Sequence, residues 1–236
     1  VIFIDEAESI LRTRSIGRYL NIINTVVPQF CAEMDGMVAL ENVVVILTSN
    51  RPDYIDPAIL RPERIDRKVT VWRPDRAGAK GILGLYLDTN LPIDPALVAL
   101  HDGPECARQA LIAATLEYLW RDDRESEFLE VSTRSGGTQK LYRRDLVSGA
   151  LLKSVVDRAK DMAIRRAIED PKIETGVSIG DLEAAIDMEY RENEIFPKGD
   201  VMEDWLRMID FEPESVVAVR PIGERKGRDY LSRSIV

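Results

Sequence analysis

Val1-Ile2-Phe3-Ile4 is an unbroken apolar run that ends on two adjacent carboxylates, Asp5 and Glu6. Such a run fits a buried parallel strand whose C-terminal end presents acid to a ligand. Val43-Val44-Val45-Ile46-Leu47 repeats the pattern and delivers Thr48, Ser49 and Asn50 at its end. Between the two, Leu20, Ile23, Val27, Phe30 and Met34 recur at three- and four-residue spacing, which predicts an amphipathic helix crossing back to the sheet. Pro28 either kinks that helix or lies near its start after Thr25, and Gly36 is a natural C-terminal glycine. The order strand, helix, strand predicts an α/β fold with a parallel sheet, and ligands of such sheets sit at the C-terminal strand ends.

After Val69-Thr70-Val71, Arg73-Pro74-Asp75 marks a boundary, and beyond it the pattern turns helical. Ala107, Leu111, Ala114 and Tyr118 form one face; Leu151, Val155, Ala159, Met162 and Ala163 form a second, with Arg165 and Arg166 near its C-terminal end. A third helix is expected from about Ile179 to Tyr190, with Ser178 as its cap and Glu183 as the nearby acid. Stripes of this kind are core. Phe128 to Thr133 and Thr138 to Tyr142 flank Gly136-Gly137, a hairpin signal near residues 127–143. From Phe196-Pro197 onward the composition shifts: a short helix through Trp205 and Met208, a strand over Val216 to Arg220, then a basic tail. Residues 220–236 carry Arg220, Arg225, Lys226, Arg228 and Arg233 against Glu224 and Asp229, which suits a mobile end.

Composition narrows the function classes. A net charge of −9 argues against a general nucleic-acid or anionic-membrane surface. No apolar run approaches the ~18 residues of a membrane span, and the expected location is cytoplasmic. Cys31 and Cys106 lack metal-site spacing, with Cys31 expected as a small core residue. His101 is the only histidine, which excludes a multi-histidine metal site.

Read residue by residue, the chemistry leaves alternatives. Asp5 and Glu6 suit Mg²⁺ binding and activation of a water, or are two ordinary acids where a core strand meets solvent. Arg61 and Arg64 flank Pro62 after a proline-broken loop; they form an exposed cationic pair for phosphoryl oxygens, or a basic turn paired with Asp56, Glu63 or Asp66. Arg12, Arg14 and Arg18 make a basic segment that reads as an exposed loop. Gly149 allows close backbone approach to a ligand, or a tight helix–helix contact.

Taken together these residues resemble a known family. Residues 1–6 resemble the Walker B strand of AAA ATPases, and the phrase Thr48-Ser49-Asn50-Arg51-Pro52 through Arg64-Ile65-Asp66 resembles that superfamily's second region of homology. The resemblance implies ATP and Mg²⁺ as cofactors, with Asp5 holding the metal mostly through water. It further implies Glu6 polarising the attacking water, Asn50 as sensor, and Arg61 and Arg64 as arginine fingers reaching a neighbouring subunit. Glu63 departs from the family's usual glycine, at a cost of about 1–2 kcal/mol if φ there is positive. By the same resemblance residues 13–19 correspond to the second pore loop of AAA unfoldases, which implies Arg12, Arg14 and Arg18 lining a central channel as the alternative to a solvated loop.

The segment from Phe128 to Lys160 resembles the lid of actinobacterial proteasome-associated ATPases, the Mpa/ARC group, where a Gly-Ala pair at Gly149 and Ala150 lies beside the nucleotide. The implied organisation is the C-terminal part of an AAA large α/β subdomain over 1–74, a helical lid with inserted hairpin over 75–196, and a C-terminal extension over 197–236. The implied activity is ATP hydrolysis by a hexameric ring that unfolds protein substrates for a proteasome core particle. No G-x-x-x-x-G-K-[ST] loop occurs, so the chain is expected to lie downstream of one and to be inactive alone. Tyr230-Leu231 is followed by five further residues, where the family ends in Gly-Gln-Tyr-Leu, which puts docking by that tail in doubt. A remodelling segregase without a protease, or a non-catalytic assembly module, are the alternatives.

Overall fold

A computed structural model describes residues 1–13, 23–35, 43–171, 174–192, 206, 211–222 and 231–232. The expectations at Arg14, Arg18, Leu20, Gly36, Trp205, Met208 and Tyr230 fall outside these. The chain divides into two compact units, Val1–Val71 and Trp72–Val236.

In the first unit, β1 (Ile2–Ile4) and β2 (Val45–Leu47) pair in parallel, with Ile2 opposite Val45 and Ile4 opposite Leu47. Helix α1 (Ile23–Met34) connects them with Pro28 inside it, which answers the question of where that proline falls. Ile4 and Leu47 pack against a small core of Ala7, Leu11, Val27, Cys31, Ile55 and Ile59. The strands were expected to be buried, and here the structure differs. Phe3 is 60% exposed and its register partner Ile46 44%. Side chains alternate across a sheet, so the face opposite α1 carries Phe3 and Ile46, and no described residue of this unit covers it.

The second unit is built on helices α2 (Arg76–Tyr86), α3 (Pro95–Leu100), α4 (Pro104–Leu119), α5 (Gly149–Glu169) and α6 (Ile179–Glu192). Their starts are written locally. Asp75 accepts from the Gly78 N–H at 2.7 Å, Asp94 from Ala96 at 2.8 Å, and Ser148 from Leu151 at 3.1 Å. Each satisfies an otherwise orphaned amide of a first turn. Leu83, Leu87, Leu111, Ile112, Leu119, Leu152, Leu182 and Ile186 are wholly buried where these helices meet. On α4 the buried stripe is broader than expected and shifted towards Ile112, Leu116 and Leu119, leaving Ala114 and Tyr118 half-buried. The helix packs against α2, α3 and α6 together, so one narrow face does not suffice. Gly176 has no alternative residue: a Cβ there would lie 2.3 Å from the Ile93 carbonyl carbon, where Ile93 and Val177 form a parallel bridge.

The hairpin is present as β3 (Glu127–Thr133) and β4 (Thr138–Tyr142). It belongs to a larger antiparallel sheet, order β4-β3-β5-β6, completed by β5 (Val216–Pro221) and β6 (Leu231–Ser232). The expectation of a mobile tail therefore fails at Leu231–Ser232, which pair with Ala218 and Val219. The reason is the open edge of β5, whose amides and carbonyls gain partners there. Phe128 and Leu146 pack against both the helical core and the sheet's own core of Leu129, Val131, Leu141, Leu206, Val216 and Val219.

Ser178 caps helix α6 as expected, but the acid that answers it is Asp181 and not Glu183. Ser178 Oγ accepts from the Asp181 N–H at 3.2 Å, and the Asp181 carboxylate accepts from the Ser178 N–H at 2.8 Å, a reciprocal capping box that does not use Glu183. Arg166 of α5 binds both oxygens of the same carboxylate. Burial works against the charge on Asp181, but the Arg166 and Ser178 hydrogen bonds outweigh it and hold the carboxyl below its ordinary range. A carboxyl with a depressed folded pKa contributes stability above its unfolded pKa of about 3.9 and loses it as pH falls through the folded value. Asp181→Asn should destabilise α6 by about 1–3 kcal/mol at neutral pH, below the range for fully buried pairs. The discount follows from Arg166, whose side chain is 41% exposed. Faster amide exchange along α6 checks this, and the difference from the parent should shrink below pH 4.

Candidate active site

The C-terminal ends of β1 and β2 lie side by side, and Thr48 stitches them together. Its N–H donates to the Ile4 carbonyl at 3.0 Å, and its own carbonyl accepts from Ala7 at 2.9 Å. The Thr48 hydroxyl donates to Asp5 Oδ1, which also accepts the Glu6 N–H at 3.1 Å. One carboxylate oxygen of Asp5 is thus oriented by two donors. The residue is exposed at the strand end, as ligand binding there requires.

Glu6 has φ 50° and ψ 48°, the left-handed region, and starts a short 3₁₀ turn over Ala7–Ser9. A non-glycine residue there costs about 1–2 kcal/mol, and strain of this size is characteristic of functional sites. The conformation turns the chain sharply, so that Asp5 and Glu6 are both exposed at the end of one strand. Asn50 is exposed two residues beyond Thr48, where the Arg51 N–H donates to Ser49 Oγ at 3.0 Å. Arg51 then stacks on Tyr54, 3.5 Å from its ring centroid, and the Tyr54 carbonyl accepts the Thr13 N–H at 2.8 Å.

The two arginines part company. Arg61 is exposed, as expected. Arg64 is not: its side chain is 15% exposed and grips Asp35, with Nε 2.6 Å from Oδ1 and Nη2 on Oδ2. It also donates to the Ala58 carbonyl and approaches Cys31 Sγ at 3.1 Å. The exposed pair is therefore corrected to one exposed and one anchored arginine. Its partner is none of Asp56, Glu63 and Asp66. The hydrogen bond from Arg64 holds the Asp35 carboxyl below the usual carboxylate range. Glu63 between them has φ 77°, so the substitution of the family's glycine does carry the left-handed penalty, and its N–H donates to Asp66 Oδ1 at 3.0 Å.

Gly149 and Ala150 belong to the second unit and open α5. Among the described residues a Cβ built on Gly149 meets nothing within 4 Å, so no tight helix–helix contact between them explains the glycine. The volume a side chain would occupy there is open among these residues. That is what close approach of a ligand to the backbone needs.

Residues 1–73 match the family described as ATPase family associated with various cellular activities (AAA), and residues 74–236 match ARC, AAA+ ATPase lid domain. The chain belongs to the AAA ATPases with an ARC-type lid. Relatives named Proteasome-associated ATPase are 41% identical in Thermomonospora curvata and Acidothermus cellulolyticus, and 40% identical in Streptomyces griseus, each over all of this chain. The chain spans about 40% of the length of these relatives.

For an ARC-type AAA ATPase the donor set fits a nucleotide with Mg²⁺. Among the described residues no cluster of three or more His, Cys, Asp or Glu could cage a metal. Mg²⁺ bound to nucleotide uses one or two carboxylates with water and phosphate, and Asp5 supplies a hard oxygen of that kind. No helix among the described residues is long and apolar enough to cross a membrane. Sequence reading missed Thr48 as the orienter of Asp5 and Asp35 as the anchor of Arg64. A hydroxyl following an apolar strand was a usable signal for the first. The second had none, since the partners lie 29 positions apart.

Proposed function

We propose that this chain is the Walker B, sensor and lid portion of a cytoplasmic, hexameric ATPase that unfolds proteins and passes them to a proteasome core. The observation that carries this reading is the pair of carboxylates at the joined strand ends, with Asp5 aligned by Thr48 and Glu6 held in a left-handed conformation. Bound Mg²⁺ would neutralise charge on the nucleotide's phosphates. Asp5 would hold it mostly through water, while Glu6 accepts a proton from the attacking water. Asn50 would orient that water or the terminal phosphate. Arg61, and Arg64 once released from Asp35, would reach the neighbouring subunit's nucleotide. Gly149 and Ala150 would lie against the nucleotide from the lid. By this reading the three-part division at residues 74 and 196 separates hydrolysis, lid and extension. Residues 1–236 alone, which contain no phosphate-binding loop motif, would not turn over ATP.

The test is degradation of a tagged, folded reporter by the intact ring with and without a proteasome core. The expected outcome is ATP-dependent loss of the reporter only when both are present. One observation favours a segregase instead: Leu231–Ser232 are paired within the sheet, which removes part of the tail from docking. ATP-driven unfolding of the reporter that never becomes degradation would establish that alternative. A ring that assembles without hydrolysing ATP would leave only an assembly role.

A further inference from the structure

Arg73 closes the segment matched to the AAA family and lies two residues past the end of the first compact unit. Its guanidinium Nη1 donates to the Leu146 carbonyl at 2.7 Å and reaches the Val147 carbonyl at 3.4 Å. Those carbonyls immediately precede Ser148, the cap of α5, and the Gly149-Ala150 pair. We propose that Arg73 is a positioning residue for nucleotide binding, setting the turn that presents the Gly149 backbone; this rests on the reading of Gly149 given above.

The geometry around the turn separates this role from simple folding. Its beginning is fastened independently. The Tyr190 hydroxyl donates to the Arg143 carbonyl at 2.6 Å, Arg143 pairs with Asp187 at 2.7 Å, and the Tyr142 N–H donates to Asp145 at 2.8 Å. Val147 is fully buried, which fixes the middle. What Arg73 adds is a hold on the two carbonyls that precede the cap residue Ser148. A guanidinium only donates, and the two N–H groups of Nη1 are fixed in its plane, whereas a lysine ammonium is a rotating point donor. Because the residue sits in the stretch leading out of the first unit, a shift of that stretch would pass into the turn through these bonds. Nucleotide affinity and the conformation of the connecting stretch then become interdependent.

The experiment compares Arg73→Ala, Arg73→Lys and Gly149→Val in the intact ring, reading ATP kcat and KM together with the Kd of a fluorescent ADP analogue. Arg73→Ala should raise KM and Kd about tenfold, the scale of one charge-assisted hydrogen bond, with kcat at saturation little changed. Arg73→Lys should fall between it and the parent. A purely structural role would lower the active fraction, and so kcat, with KM and Kd unmoved. Unchanged Kd in Arg73→Ala, alongside weakened binding in Gly149→Val, overturns the role of Arg73 alone. Unchanged Kd in Gly149→Val means that the lid reading fails and the proposal with it. If Arg73→Ala does not assemble, Arg73→Lys decides: a raised Kd supports positioning, and a parental Kd overturns it.

Discussion

Glu6→Gln in the intact ring should bind ATP normally and hydrolyse it about 10²–10⁴-fold more slowly, the usual contribution of a well-placed general base. The amide has nearly the shape of the carboxylate and cannot take the proton. Glutamine meets the same left-handed penalty at φ 50°, so the turn over Ala7–Ser9 is not relieved by the change. Asp5 keeps its Thr48 hydroxyl and the backbone N–H of residue 6, so the proposed metal ligand stays oriented. Single-turnover hydrolysis beside equilibrium ATP binding checks the result. Turnover within about twofold of the parent would remove Glu6 from the mechanism, since no base contributes so little.

Loss of Arg61 should be comparably severe. Arg61→Ala rings should assemble, bind ATP and lose about 10³-fold or more in turnover, the effect of deleting an arginine finger. The exposed position of Arg61 makes it the cleaner probe. Arg64→Ala would also remove the anchor on Asp35 and Ala58, mixing a folding defect into the kinetics. Action in trans has its own signature. In rings mixed from Arg61→Ala and Glu6→Gln subunits, some interfaces combine an intact Glu6 with an intact neighbouring Arg61. Activity should therefore return on mixing. Mixtures as dead as either parent would mean that the arginine acts within its own subunit or not at all.

Much of this protein was decided within short windows of sequence. The two apolar runs with polar ends specify neighbouring parallel strands, because continuous apolar character and β-branching act over a few residues. The helices of the second unit follow from three- and four-residue spacing and from caps at Asp75, Asp94 and Ser148, each acting on an amide two or three residues away. The Gly136-Gly137 turn specifies the hairpin for the same reason. The candidate carboxylates were legible too, since a strand's end is where its sequence changes character.

What only the tertiary structure decided involves partners far apart along the chain. Arg64 turned inward because α1 delivers Asp35 to it, and two carboxylate oxygens hold a guanidinium better than solvent does. The hairpin became half of a four-stranded sheet because Val216–Pro221 could satisfy the free edge of β3. Phe3 and Ile46 share a face by strand register, while only the packing of α1 determined which face of the sheet it would cover. Arg73 meets carbonyls 73 and 74 positions downstream, and no local propensity anticipates that meeting. Such pairings depend on where whole elements dock, and docking is set by the summed burial of Leu83, Leu111, Leu152, Ile186 and their neighbours, not by the residues that happen to meet.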